Sequence, residues 1–167
     1  ELDFSVGLKT PIALKVGSFH ISWTPEEGGR LAIGHLDHTD GVLWETVPGC
    51  AFAGAAQALE SVAEHRGMFF FREKVLKRFA HQYIEEITAQ EDGSVRISGH
   101  LAATPGKPDI PYNFYLREIN PGRLEFFLEV EHAAANRTYL TYASEPDEDF
   151  FGFGAQFTYF NLKGRRV

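Results

Sequence analysis

Short segments in which apolar and polar residues alternate recur throughout this chain. The clearest is segment 124–131, where four apolar positions alternate with four others, three of them glutamates. The apolar series is Leu124, Phe126, Leu128 and Val130. Because side chains along a strand point alternately to opposite faces, this pattern predicts a strand with one face in the core and one in water.

Other segments of the same kind are separated by turn residues. They are 10–16, 18–24, 30–34, 42–47, 67–80, 81–89, 95–101, 112–119 and 137–143. The runs Glu91-Asp92-Gly93 and Asn120-Pro121-Gly122 are typical turn sequences. Many short strands with regular turns predict an all-β fold, an antiparallel β-sandwich. Only segment 54–65 has a helix-like composition, and it is compatible with either a helix or an extended edge segment.

Composition limits the classes of partner. The 167 residues fit one domain, and the 15 Phe, 6 Tyr and 2 Trp favour sheets. The net charge of −7, without a basic stripe, argues against nucleic acid. Apolar runs such as 68–71 are too short to span a bilayer, so no membrane partner is expected. The chain carries no recognisable targeting signal, and its compartment is therefore not predicted.

The sequence gives only weak signals for catalytic or metal-binding residues. Segment 35–40, HLDHTD, is the best metal candidate, but it lacks the usual zinc spacing, so we expect a solvated loop without metal. Acidic residues cluster at 85–86, 125–131 and 145–149. Neighbouring acids on a wet face keep ordinary pKa values, and we therefore predict no catalytic residue among them. The sequence implies no cofactor.

Five phenylalanines could form a platform that stacks on sugar rings. They are Phe69, Phe70, Phe71, Phe126 and Phe127. Core packing is the interpretation that we favour, because consecutive Phe residues must serve both faces of a strand.

The C-terminal segment 145–167 reads EPDEDFFGFGAQFTYFNLKGRRV. It resembles glycoside hydrolase family 31, in which an aromatic-Gly-x-Gly-Glu-Gln-Phe run and a Leu-(Lys/Arg)-Gly segment close the N-terminal sandwich. The form QFTYFNLKG is most similar to the branch of bacterial sulfoquinovosidases and related α-glucosidases. Segment 41–45, GVLWE, resembles an early strand of the same domain. Ala155 stands where the family usually carries Glu.

The resemblance implies a galactose-mutarotase-like β-sandwich. Residues 1–167 would be a single N-terminal domain, followed in a longer chain by a (β/α)8 barrel that supplies the catalytic nucleophile and acid/base aspartates. The implied reaction is hydrolysis of an α-glycosidic bond with retention. On this interpretation the partners are the barrel of the same polypeptide and an α-glycoside, and neither catalytic aspartate lies in this chain.

The resemblance also points to particular residues. At the edge of the sugar pocket or at the domain junction we expect Gln156, Phe157, Tyr159, Phe160 and Arg165. Packing at the junction is the role that we favour for them. Structural glycines, where backbones approach closely or φ is positive, would be Gly152, Gly154 and Gly164.

Two other functions fit the sequence. One is a stand-alone carbohydrate-binding sandwich with exposed aromatic side chains. The other is a mutarotase-like enzyme, in which His100 or His132 would meet a glutamate in a cleft. An exposed apolar patch would favour the accessory domain, because such a domain buries that patch against its barrel.

Overall fold

The computed structural model describes residues 3–6, 8–37, 41–133 and 135–148. It contains twelve strands there: β1 Asp3–Val6, β2 Ile12–Val16, β3 Phe19–Thr24, β4 Arg30–His35, β5 Val42–Glu45, β6 Ala53–His65, β7 Met68–Phe79, β8 His81–Ala89, β9 Val95–Ala102, β10 Ile110–Asn120, β11 Arg123–Val130 and β12 Arg137–Leu140. One turn of 3-10 helix spans Glu26–Gly28. None of the described segments is a helix long and apolar enough to cross a membrane.

The strands form three sheets. A five-stranded sheet has the order β1-β8-β9-β10-β11, and all of its pairs are antiparallel except β1–β8. A four-stranded antiparallel sheet has the order β2-β3-β4-β5, and a three-stranded one has the order β12-β6-β7. The amide of Ala143, beyond β12, donates to the carbonyl of Glu45 at 2.8 Å. This bond links the two smaller sheets.

One apolar core lies between the five-stranded sheet and the two smaller ones. Its largest side chains, all almost completely buried, come from all three sheets and include Trp23, Leu31, Phe79, Tyr112 and Phe114. The face predicted for β11 is confirmed, because Leu124, Phe126, Leu128 and Val130 pack against this core. The predicted antiparallel all-β sandwich is therefore the observed fold.

Segment 54–65 is a strand, not a helix, in spite of its composition. As β6 it pairs antiparallel with β7 on one side and with β12 on the other. Its first residues, including Ala53, Ala55 and Ala56, are completely buried at the base of the sheet. Cross-strand pairing and burial therefore outweigh the local preference for helix.

Candidate functional site

The most unusual feature of the molecule is the long hairpin of β6 and β7. The two strands pair from Ala55 opposite Phe79 to His65 opposite Met68. Arg66 and Gly67 join them with φ values of 54° and 76°, which is the pattern of a two-residue type I′ turn. Because β7 is the last strand of its sheet, its outer edge is unpaired within the described part of the chain.

Beyond its base the hairpin leaves the core. From Leu59 to Leu76 every residue is exposed. The tip is the most apolar part, with Phe69 65%, Phe70 45% and Phe71 81% exposed. The interpretation of these three residues as core packing is therefore wrong, and it is also wrong for Phe127, which is 57% exposed. It holds for Phe126, which packs partly buried against the core.

The two faces of the hairpin differ in charge. Residues that are directly opposite in an antiparallel pair point to the same face, so the register assigns each side chain. We call one side the acidic face: Glu60, Val62, Glu64, Phe69, Phe71 and Glu73. The other is the basic face: Leu59, Ala63, Met68, Phe70, Arg72 and Lys74. Each face thus combines exposed apolar side chains with charges of one sign.

Residues at the start of β12 hold the base of the hairpin. Opposite the β-bulge in β7, the Asn136 side chain accepts from the amide of Ala58 at 2.9 Å and donates to its carbonyl at 2.8 Å. Arg137 pairs with Glu60 and, at 3.4 Å, with Glu73. Since Glu60 and Glu73 are directly opposite, Arg137 offsets a repulsive like-charge pair.

Apart from the hairpin, a cleft lies near the C-terminal end of the described residues. It has a volume of about 210 Å³ and is lined mainly by Val42, Leu43, Trp44, Tyr142 and Glu148. The Trp44 and Tyr142 rings are 6.0 Å apart between centroids. Partial burial, and then the nearby Glu148 carboxylate, raise the pKa of Tyr142.

The residues predicted for the pocket edge lie outside the described residues. They are Gln156, Phe157, Tyr159, Phe160 and Arg165, and the same holds for the glycines Gly152, Gly154 and Gly164. Their placement at a pocket or a domain junction therefore stays a prediction. Of the segments that carry the resemblance, 41–45 is described: its Trp44 packs on Phe126, with 5.1 Å between ring centroids.

One histidine does meet a glutamate. His100 Nδ1 lies 2.7 Å from Glu85 Oε1, on strands β9 and β8, with the two side chains 35% and 56% exposed. His132 packs against the Phe79 ring, with 5.6 Å between the ring centroids. A mutarotase-like acid/base pair needs a cleft around it, whereas the exposed His100–Glu85 pair resembles a surface ion pair.

Segment 35–40 is only partly described. The His35 ring packs edge-on against Phe19 at 5.4 Å, and the amide of Asp37 donates to His35 Nδ1 at 3.2 Å. Within the ranges that the structure describes, no three His, Cys, Asp or Glu side chains converge as metal ligands.

Several acidic side chains form ion pairs with arginines or accept hydrogen bonds from nearby groups. Glu45 pairs with Arg30, and Glu125 pairs with Arg117 at 2.7 Å. Hydrogen bonds from Ser94 lower the pKa of Asp92, and the amide of Ala103 lowers the pKa of Asp109. Lowered carboxyl pKa values suit structural acceptors, whereas a glycosidase acid needs a raised one.

No protein-family model matches the chain. The chain is similar to the sulfoquinovosidase of Escherichia coli (strain K12), with 27% identity over 116 residues. The matched region covers 70% of this chain but only 16% of that enzyme. This chain thus corresponds to a small part of the length of its relative.

Proposed function

We propose that this chain is a non-catalytic accessory domain of a retaining α-glycosidase of family 31, of the α-glucosidase or sulfoquinovosidase type. It packs on a (β/α)8 catalytic barrel in the same polypeptide and shapes the edge of the sugar pocket. The similarity to 16% of a sulfoquinovosidase supports a part of such an enzyme, not the whole. The resemblance of segment 145–167 to family 31 supports the same family.

The single observation that carries the proposal is the exposed hairpin. An isolated two-stranded hairpin is marginally stable in water, and soluble monomers rarely expose large contiguous apolar patches. The side chains of Phe69, Phe70 and Phe71 nevertheless lie on both faces of this hairpin in solvent. A neighbouring domain that covers the tip would remove both difficulties at once.

Charge adds a requirement on that neighbour. On the acidic face Arg137 already pairs with Glu60 and Glu73, so Glu64 is the carboxylate presented near the tip, and the basic face presents Arg72 and Lys74. A cleft that encloses the tip must therefore offer basic groups to one face and acidic groups to the other, since unpaired charges buried at an interface are costly. The hairpin would dock in one orientation only.

The pocket edge is the second part of the proposal. Gln156, Phe157, Tyr159, Phe160 and Arg165 would follow the cleft at Trp44 and Tyr142 and lie at the domain junction. The catalytic nucleophile and the acid/base would both come from the barrel.

Activity tests the division of labour between the domains. The 167-residue chain and the full-length gene product that contains it are each assayed with p-nitrophenyl α-glucoside and p-nitrophenyl α-sulfoquinovoside. We expect turnover by the full-length protein alone, and the preferred substrate identifies the sugar. Hydrolysis by the 167-residue chain would overturn the proposal.

Hydrogen exchange tests the docking surface. Amides of 59–76 should exchange more slowly in the full-length protein than in the 167-residue chain, because the barrel covers the hairpin, while 124–130 should serve as an internal reference. Phe71→Asp in the full-length protein should remove this protection. Leu36→Asp changes an exposed apolar residue outside the hairpin and should leave it intact. Equal exchange of 59–76 in both proteins would contradict docking.

A further inference from the structure

A groove of about 400 Å³ lies on the outer face of the five-stranded sheet, the face turned away from the two smaller sheets. Its floor comes from β10 and β11 and its wall from the β8–β9 turn. The lining side chains that matter are Tyr115, Arg117, Glu125, Phe127, Asp92 and Ser94. Its volume falls within the range of small-molecule sites.

Two aromatic rings form the floor of the groove. Tyr115 and Phe127 are directly opposite in the β10–β11 register, so both project to the outer face. Their centroids are 6.3 Å apart, and their planes are inclined by 35°. Phe127 is 57% exposed. An aromatic face carries partial negative charge, so it attracts the weakly positive C–H groups of a flat ligand.

Polar groups stand beside the rings in fixed positions. The next outward pair along the same strands is Arg117 and Glu125, which are joined by a hydrogen bond of 2.7 Å. The Ser94 amide and hydroxyl both donate to Asp92 Oδ1, at 3.0 and 2.6 Å. The groove therefore combines guanidinium donors with carboxylate acceptors that are already oriented.

We infer that this groove binds a neutral pyranose ring, the C–H face of which stacks on Tyr115 and Phe127. Ring hydroxyls donate to Asp92 or Glu125 and accept from Arg117. A purely apolar ligand would cover these charged groups and displace their water without offering a hydrogen bond in return. A sulfonated or phosphorylated sugar would bring its charge close to two carboxylates. A neutral sugar combines an apolar face with hydroxyls that both donate and accept.

This site is separate from the proposed docking surface. The groove lies on the five-stranded sheet, whereas β6 and β7 belong to the three-stranded one. Sugar binding here therefore neither requires nor excludes a barrel. It would give the domain a glycan contact of its own.

Titration of the 167-residue chain with maltotriose, followed by backbone amide NMR, tests the inference. Saturable shifts should be confined to 92–94, 115–117 and 125–127, with a Kd of roughly 1–10 mM for such a shallow groove. Phe127→Ala and Tyr115→Ala should each weaken binding at least about fivefold, because each removes one of the two rings on which the sugar stacks. Arg117→Ala supplies a third, polar variant.

Glu129→Ala is the matched control. Glu129 is an exposed residue on the outer face of β11, two positions beyond Phe127 and outside the groove, and its removal should leave binding unchanged. Methyl α-glucoside should bind more tightly than methyl α-sulfoquinovoside, which differs from it by the sulfonate. The inference is overturned if maltotriose gives no saturable shift, if the shifts persist in Phe127→Ala, or if the sulfonated glycoside binds better.

Discussion

At the scale of single residues, Gln82 is a buried polar group that joins the two layers of the sandwich. It lies on β8 and is completely buried. Its Oε1 accepts from the amides of Phe52 and Ala53 at 2.9 and 3.2 Å. Its Nε2 donates to the Tyr112 hydroxyl at 2.8 Å. One side chain thus satisfies three polar groups that have no access to water, and burial raises the pKa of Tyr112.

Gln82→Leu should destabilise the protein by about 3 kcal/mol, because it leaves two buried amides without an acceptor. Urea unfolding followed by circular dichroism measures the loss. Tyr112→Phe is the matched variant: it removes one hydroxyl, keeps both amide bonds and should cost about 1 kcal/mol. Equal losses in the two variants would show that the amides do not depend on Gln82.

At the scale of elements, Arg137 shows how the hairpin tolerates its own charges. The strand β12 ends the sheet next to β6 and places this guanidinium beside Glu60 and Glu73. The Arg137 side chain is 29% exposed. The ion pairs are therefore partly shielded from solvent, and they act on an element that has few other tertiary contacts.

Arg137→Ala should loosen the hairpin without unfolding the sandwich. Amides of 59–76 should exchange about 2–5 times faster in the 167-residue chain, which corresponds to roughly 0.5–1 kcal/mol. Arg96→Ala removes a comparable ion pair, to Glu86 at 2.9 Å on the five-stranded sheet, and should leave that exchange unchanged. Unaltered exchange in Arg137→Ala would mean that backbone pairing alone holds the hairpin.

At the scale of the whole molecule, Glu118 ties the two layers together at one end. It extends from β10 to the turn between β2 and β3, where it accepts from the Ser18 hydroxyl and, at 3.2 Å, from the Ser18 amide. The amide of Gly122 donates to it at 2.9 Å. The Ser18 hydroxyl first, and then Gly122, lower the pKa of Glu118 below its usual 4.5. Gly17, with φ of 56°, leaves the space that the carboxylate occupies.

Because the folded-state pKa is lowered, Glu118 contributes stability above the ordinary glutamate pKa of 4.5 and loses it as the pH falls through the folded value. The free energy of unfolding of Glu118→Gln should therefore differ most from wild type at neutral pH and converge with it in acid. Ser18→Ala should show a smaller version of the same convergence. Urea unfolding between pH 7 and about 2 measures this, and parallel profiles would contradict it.

The sequence by itself determined the fold class and most of the strands. Period-two alternation in β11 fixed which face is buried, because a strand has only two faces and three acids lie on one of them. Turn residues fixed the ends of β8 to β11 closely. The predicted strand at 67–80 became β7 at Met68–Phe79. Strand and turn positions depend mainly on residues that are close together in the sequence. The alternation pattern and the turn residues therefore predict them directly.

Only the tertiary structure decided which apolar residues are core and which are surface. The Phe run at 69–71 suggests core packing, and the alanine-rich segment 54–65 is compatible with either a helix or an extended edge segment. In the structure these two segments pair as the two strands of the hairpin, and its tip is exposed. The groove at Tyr115 and Phe127 is a second example. It forms because the fold brings β10 and β11 next to the turn that contains Asp92, which is distant from both strands in sequence. Whether a side chain is buried depends on which element packs against it. The sequence of a single strand does not specify that element.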